Sequence, residues 1–175
     1  MRTAVVSYSL TGNNGALAAA VAETLSAEHI RITEPKPRKT GTILLDVLLG
    51  RTPKTRPSPA ALAAYDRIVL MGPVWMGRAA TPLRAYLSYL GTNPRPFAFA
   101  CISGGTLNGN PKLAGDLEKR AGAKPAALVD LHITDLLPPG SGPTLGNTGS
   151  YRLNGAEVSK LSGIISDSVK KALNL

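Results

Sequence analysis

The sequence has few of the residues that form metal sites and catalytic side-chain arrangements. Its 175 residues include one cysteine and two histidines. A lone Cys101 excludes an intramolecular disulfide and any zinc or iron–sulfur site made of several cysteines. His29 and His132 are far apart in sequence, and no pair has the spacing of metal ligands. No paired carboxylates and no Ser/His/Asp arrangement occur at a plausible site, so we predict neither metal ligands nor catalytic side chains.

Long apolar runs are also missing. Spanning a bilayer takes about 20 apolar residues, and the richest run here, residues 43–49, is much shorter. No apolar segment with a cleavage site follows Met1. These features predict a cytoplasmic protein without a membrane span. Residues 1–175 are enough for one domain with a substantial core, and we expect a single domain.

Acidic residues are scarce, and the formal charge is +9. Residues 31–57 contribute seven basic and two acidic side chains, which is +5 of that charge. No aromatic residues interleave with these charges, so a base-stacking surface is not indicated and a nucleic-acid partner is disfavoured. We interpret residues 34–64 as a long, solvated, basic connection that contains a short helix at residues 43–49.

Strand and helix patterns alternate along the rest of the chain. The strand patterns cover residues 3–8, 29–33, 67–71, 97–103 and 126–133, and the helix patterns cover residues 13–27, 81–90, 111–121 and 154–173. Such alternation predicts an α/β fold with a parallel sheet and helices on both faces. Ligands of such folds bind beyond the carboxyl ends of the strands, where the strand order reverses. The polar loops at residues 9–15, 72–78 and 103–110 follow three of the predicted strands.

The first loop runs from the first strand into the first helix. It places hydroxyl, amide and backbone N–H groups at a helix N-terminus, with no acidic residue from Met1 to Ala22. A helix N-terminus with free N–H groups favours anions, so we predict a phosphate site. The Walker and GxGxxG patterns are both missing. The predicted binding residues are Ser9, Leu10, Thr11, Gly12, Asn13 and Asn14.

The second loop contains the only tryptophan of the chain. An indole in a loop beyond a buried strand is suited to stacking on a flat ligand. The third loop has paired glycines, where backbone can approach a ligand closely. The candidate residues are Pro73, Val74, Trp75, Met76, Gly77 and Arg78 in the second loop, and Ser103, Gly104 and Gly105 in the third.

These three motifs, at this separation, resemble the flavodoxin-like family of FMN-binding proteins. The resemblance covers roughly residues 3–122. It implies a three-layer sandwich with a five-stranded parallel sheet of order 2-1-3-4-5. It also implies that FMN is the cofactor, with its phosphate on residues 9–14 and its ring against Trp75, and with Gly77 and residues 103–105 at the ring edge.

The sequence departs from the family pattern in two ways. Asn14 stands where the family usually has Ser or Thr, and the chain is basic where electron-carrier flavodoxins are acidic. We expect a flavin redox protein, either an electron carrier or a small FMN-dependent NAD(P)H or quinone-type oxidoreductase. Its partner is then a redox protein or a small electron donor or acceptor. The alternative is a flavodoxin-fold binding or regulatory module without flavin chemistry, which Asn14 alone supports.

Overall fold

The computed structural model describes residues 1–35, 46, 49–104, 109–138 and 144–175. Strands and helices alternate along these residues as the sequence predicts. The strands are β1 (Thr3–Ser7), β2 (Glu28–Arg31), β3 (Arg67–Met71), β4 (Val74–Trp75), β5 (Arg78–Ala79), β6 (Phe97–Ser103) and β7 (Ala127–His132). The helices are α1 (Asn13–Thr24), α2 (Arg84–Thr92), α3 (Leu113–Ala121), α4 (Leu145–Ser150) and α5 (Gly155–Leu173).

The main sheet has five strands in the order β2-β1-β3-β6-β7, and every pairing is parallel. Without the short β4–β5 hairpin this is the predicted order 2-1-3-4-5. The register places Val6 of β1 between Ile30 of β2 and Leu70 of β3. The chain runs from β1 to β2 on one side of β1 and then crosses to β3 on its other side, so the strand order reverses at β1.

Two hydrophobic cores lie on opposite faces of the sheet, which gives the predicted three layers. Successive residues of a strand point to opposite faces, and in β1 Ala4 and Val6 belong to one core while Val5 belongs to the other. Helices α2 and α3 cover the first core, and α1 and α5 cover the second. The central strands therefore have apolar residues on both faces, which explains their continuous apolar runs.

Two segments differ from the sequence prediction. Residues 72–78 contain a two-stranded antiparallel hairpin rather than an irregular loop. Residues 145–150, for which the sequence showed no helix pattern, form α4, which begins with a capping box in which Thr144 and Asn147 bind each other's backbone N–H groups. The predicted helix at residues 43–49 lies largely outside the described residues. Among the described residues, no helix has both the length and the apolar character to cross a membrane.

Candidate functional site

The carboxyl ends of β1, β3 and β6 bring the three predicted loops to one edge of the sheet. Strand order reverses between β1 and β3, and in open parallel sheets this reversal opens a crevice at the carboxyl edge. The loop after β1 and the hairpin after β3 lie on the two sides of that crevice. The candidate site is therefore where the topology of the sheet favours a ligand.

The first loop presents backbone N–H groups at the start of α1. The Oγ atom of Ser9 accepts a hydrogen bond from Gly12 N at 3.0 Å, and Gly12, at φ 99°, turns the chain into the helix. The first intrahelical bond runs from Ala16 N to Gly12 O at 2.9 Å. The N–H groups of residues 13–15 thus have no intrahelical acceptor. Together with the half-buried hydroxyl of Thr11 and no acidic residue in the first turn, they favour an anion.

Asn13 and Asn14 have side-chain roles that differ from the one predicted. Asn14 Nδ2 donates to Ile102 O at 2.9 Å, and Asn14 Oδ1 accepts from Ile102 N at 3.0 Å. Asn13 Nδ2 donates to Tyr151 O at 2.9 Å, and its Oδ1 accepts from Leu153 N at 3.1 Å. Both side chains are buried and fix the start of α1 to the rest of the protein. Their contribution to an anion site is therefore reduced to their backbone N–H groups.

A cavity of about 390 Å³ lies beside the first loop. Besides Ser9, Gly12 and Gly15, it is lined by Ser7 at the end of β1 and by Arg31 and Thr33 at and beyond the end of β2. Sequence reasoning missed Arg31 because it counted this residue with the basic segment 31–57. Only the pairing of β2 with β1, which sets Ser7 opposite Arg31, brings this cation next to the loop.

His29 adjoins the same region. Its Nε2 lies 2.8 Å from Ser7 Oγ in hydrogen-bond contact. Burial, and secondly the positive charge of Arg31, lower the pKa of His29 from its ordinary value of 6.5. The neutral imidazole is therefore favoured beside the first loop at neutral pH.

The second loop is a tight hairpin whose strands are joined by Met76 and Gly77. Both residues have positive φ, 53° and 73°, as a two-residue type I′ turn requires. Gly72 precedes the hairpin, and a Cβ built on it would lie 2.7 Å from Leu83 Cδ1 and 3.0 Å from Tyr8 O. A side chain at this position would force Leu83 and the Tyr8 carbonyl to shift, so glycine lets the base of the hairpin lie close to the loop after β1.

Trp75 is half-buried on β4, with its neighbours Pro73 and Val74 also half-buried. Its ring meets Tyr8 edge-on, with centroids 6.0 Å apart and planes at 89°. Tyr8 in turn donates a hydrogen bond from its hydroxyl to Glu34 at 2.9 Å. The indole is thus held at the edge between β1 and β3 while part of it stays exposed.

The third loop begins in a polar network that the sequence did not predict. Ser103 Oγ lies 3.2 Å from His132 Nδ1, and Asn110 Nδ2 donates to both Asp130 oxygens at 2.9 and 3.1 Å. A Cβ built on Gly104 would lie 3.0 Å from Thr148 Oγ1, so α4 packs against this loop. Gly105 lies outside the described residues.

Cys101 belongs to the same network as a buried donor. Its thiol donates to Asp130 Oδ1 at 3.1 Å. Burial, reinforced by the Asp130 carboxylate, raises the pKa of the Cys101 thiol well above its ordinary value. The thiol therefore stays protonated at neutral pH, which is the state of an unreactive core residue.

No protein-family model matches the chain, and no curated protein matches its sequence. Solved structures do match. A protein from Bacteroides eggerthii described as a flavoprotein is 14% identical, over 74% of this chain and 87% of its own, with a TM-score of 0.64. A flavoprotein from Lactobacillus acidophilus in complex with FMN is 22% identical, over 73% and 91%, with a TM-score of 0.59. An archaeal flavodoxin is 13% identical over 99% of both chains, with a TM-score of 0.54. At these identities the matches establish the fold, which is flavodoxin-like.

Proposed function

We propose that this protein binds FMN at the carboxyl edge of its sheet and acts as a flavin-dependent redox protein. One observation carries the proposal. The N-terminus of α1 and the half-buried ring of Trp75 lie on opposite sides of the point where the strand order reverses. An anion site on one side of this point and a stacking platform on the other suit a ligand with a phosphate at one end and a flat ring at the other. The Lactobacillus acidophilus flavoprotein, which has this fold, binds such a ligand.

The residues present fit each part of the cofactor. The N–H groups of residues 13–15, with the hydroxyls of Ser9 and Thr11, would hold the phosphate. Trp75 would hold the ring, and the backbone of Gly77, Ser103 and Gly104 would border it. Leu10, Pro73, Val74, Met76 and Arg78 stay in the proposed site as neighbours of these groups. When bound, FMN supplies the electron transfer, and the chain supplies binding, orientation and charge.

The one argument for the alternative, a module that does not bind flavin, no longer holds. It rested on Asn14 as a weakened phosphate ligand. The Asn14 amide is instead engaged with Ile102 in both directions, so the residue type at this position says nothing about affinity for phosphate.

The decisive measurement is a titration of flavin-free protein with FMN, followed by emission of its only tryptophan. We expect Trp75 emission to be quenched on saturation, and Trp75→Ala to weaken binding by about 1–3 kcal/mol, the scale of aromatic stacking. Thr11→Val should weaken FMN binding by about 1.5–3 kcal/mol, because it removes a hydrogen bond to a charged group. The absorbance of the purified protein should show flavin bands.

Two controls make the assignment specific. Riboflavin lacks the phosphate, so its affinity should not change in Thr11→Val. Thr24→Val is the matched variant at the other end of α1, where the hydroxyl donates to Ala20 O at 2.9 Å and lies outside the site. Protein that neither carries flavin nor binds it on titration would refute the proposed function. An equal loss of affinity for FMN and riboflavin in Thr11→Val would show that this loop does not bind the phosphate.

A further inference from the structure

Arg31, the last residue of β2, lies directly beside the loop after β1. The parallel register sets Arg31 opposite Ser7, the last residue of β1, and the loop continues from there to Ser9. Ile30 packs against the first core, so Arg31 and His29 project to the other face of the sheet. That face is covered by α1, so the register places this cation in the same corner as the start of the helix.

One cavity, of about 390 Å³, is lined by both Arg31 and the first turn of α1. Gly15 is one of its lining residues, and the backbone N–H group of Gly15 has no intrahelical acceptor. The hydroxyl-bearing residues Ser9 and Thr33 also line it, whereas α1 contributes only glycine and alanine. Among the described residues of the lining, Arg31 is the only charged one. The cavity therefore offers a cation and N–H donors to one bound group.

The charge of Arg31 is not neutralised within the part of the chain that the structure describes. None of the ion pairs there involves Arg31. On α1 the only charged side chain is Glu23, which is exposed near the far end of the helix. The charge of Arg31 acts instead on His29, whose pKa it lowers in addition to the larger effect of burial. His29 Nε2 is in turn 2.8 Å from Ser7 Oγ, at the wall of the cavity. An anion in the cavity would compensate this charge.

The first loop itself supplies only neutral donors. No lysine or arginine occurs between Arg2 and Arg31, so the hydroxyls of Ser9 and Thr11 and the N–H groups of residues 13–15 are all uncharged. A phosphate monoester has its second pKa near 6 and is largely a dianion at neutral pH. A cation beside it gains about twice the Coulomb energy that a monoanion would give. Arg31 is therefore the group that would distinguish a phosphorylated ligand from a neutral one.

We propose that Arg31 is the charged ligand of the FMN phosphate, and that it gives this site its selectivity for phosphorylated over unphosphorylated flavin. This inference rests on the proposed function. The guanidinium of Arg31 would bind the phosphate from the β2 side of the loop, while the N–H groups of α1 bind it from the helix side. A guanidinium can donate two parallel hydrogen bonds to one phosphate, which a lysine ammonium cannot match in geometry.

The first test compares FMN and riboflavin binding in Arg31→Gln and in the unmodified protein. Because Arg31 is exposed, we expect the variant to bind FMN about 3- to 10-fold more weakly, and riboflavin with unchanged affinity. Raising salt from about 0.1 to 1 M shortens the Debye length from about 10 to 3 Å and should weaken FMN binding to the unmodified protein. Arg31→Gln should lose most of this salt dependence. Thr11→Val, which removes a neutral donor, should keep it.

The second test uses flavin-free protein and inorganic phosphate, so it does not depend on flavin binding. The chain has two histidines, His29 on β2 and His132 on β7, and these strands form opposite edges of the sheet. NMR titration follows the pKa of each histidine separately. We expect phosphate to raise the pKa of His29 saturably, because it compensates the charge of Arg31, and to leave the pKa of His132 unchanged. FMN should act like phosphate and riboflavin should not, and Arg31→Gln should abolish the response to inorganic phosphate.

Arg67→Gln is the matched control, because it removes the same charge from the first residue of β3, at the amino edge of the sheet. It should change neither FMN affinity nor the pKa of His29. An unchanged ratio of FMN to riboflavin affinity in Arg31→Gln would overturn the inference and leave the proposed function standing. A His29 pKa that responds to neither phosphate nor FMN would also overturn it. Saturable phosphate binding that requires Arg31, in a protein that binds no flavin, would refute the proposed function and keep Arg31 as a phosphate ligand.

Discussion

Substituting Asn14 by Ala tests whether this residue supports the structure or binds the ligand. Strand β6 continues beyond β3, since the last pair between them is Met71 with Ala100, while β6 extends to Ser103. Ile102 therefore has no partner on β3 for its N–H and C=O groups. The amide of Asn14 supplies both missing partners at 3.0 and 2.9 Å, so it takes the place of one more strand residue.

Asn14→Ala leaves both Ile102 groups without a partner in a buried place. An unsatisfied buried backbone group costs about 1–3 kcal/mol, so the two together should lower the free energy of unfolding by about 2–6 kcal/mol. For a domain of this size, 1 kcal/mol corresponds to about 2–4 °C, and we expect the melting temperature of the flavin-free protein to fall by about 4–24 °C.

The assay is thermal and urea unfolding of flavin-free protein, together with FMN titration at a temperature where the variants are folded. Thr11→Val is the matched comparison on the same loop. It should lose FMN affinity with little change in unfolding, whereas Asn14→Ala should lose stability first. An Asn14→Ala protein with unchanged melting temperature and strongly reduced FMN affinity would refute this reasoning and restore Asn14 as a phosphate ligand.

Three further predictions concern residues around the same edge. The pKa of His29 is lowered below 6.5, so on acidification the unfolded chain binds this proton before the folded protein does. The free energy of unfolding should therefore decline as pH falls through 6.5. His29→Gln should lessen this decline in unfolding curves at about pH 5–8. Met76→Asn should raise the free energy of unfolding by about 0.5–1 kcal/mol, because Asn-Gly adopts the positive φ values of this turn with less strain. Arg78→Ala should lower the midpoint potential of bound FMN by some tens of mV in a redox titration. The reason is that a partly screened unit charge stabilises the reduced anion by about 1 kcal/mol. An unchanged or higher potential would show that Arg78 does not stabilise the reduced flavin.

The strands and helices were predictable because their sequence patterns lie within a few consecutive residues. A run such as residues 97–103 is apolar at almost every position, and it becomes the fully buried strand β6. A capping pattern such as Asn154 with Glu157 marks the start of α5 within four residues of sequence. Alternation of such elements fixes a parallel sheet, and the carboxyl edge then follows as the place for the loops.

The roles of individual side chains were less predictable because they depend on contacts between distant parts of the chain. Asn14 binds a backbone 88 residues away and Asn13 binds one 138 residues away, so no local pattern separates these amides from free donors. The hairpin was missed for a different reason. Its turn consists of Met76 and Gly77, and only the glycine is typical of a type I′ turn.

The distribution of charge in space was not predictable from the sequence either. Counting along the sequence directs attention to residues 31–57, where seven basic residues are close together. In the structure, a groove between the hairpin and α3 instead collects Arg78 from the hairpin and Lys112, Lys119 and Arg120 from around α3. Each of these cations looks like an ordinary surface residue in the sequence. A ligand responds to the density of uncompensated charge in space, which depends on concavity and on whether acids such as Asp116 are already engaged.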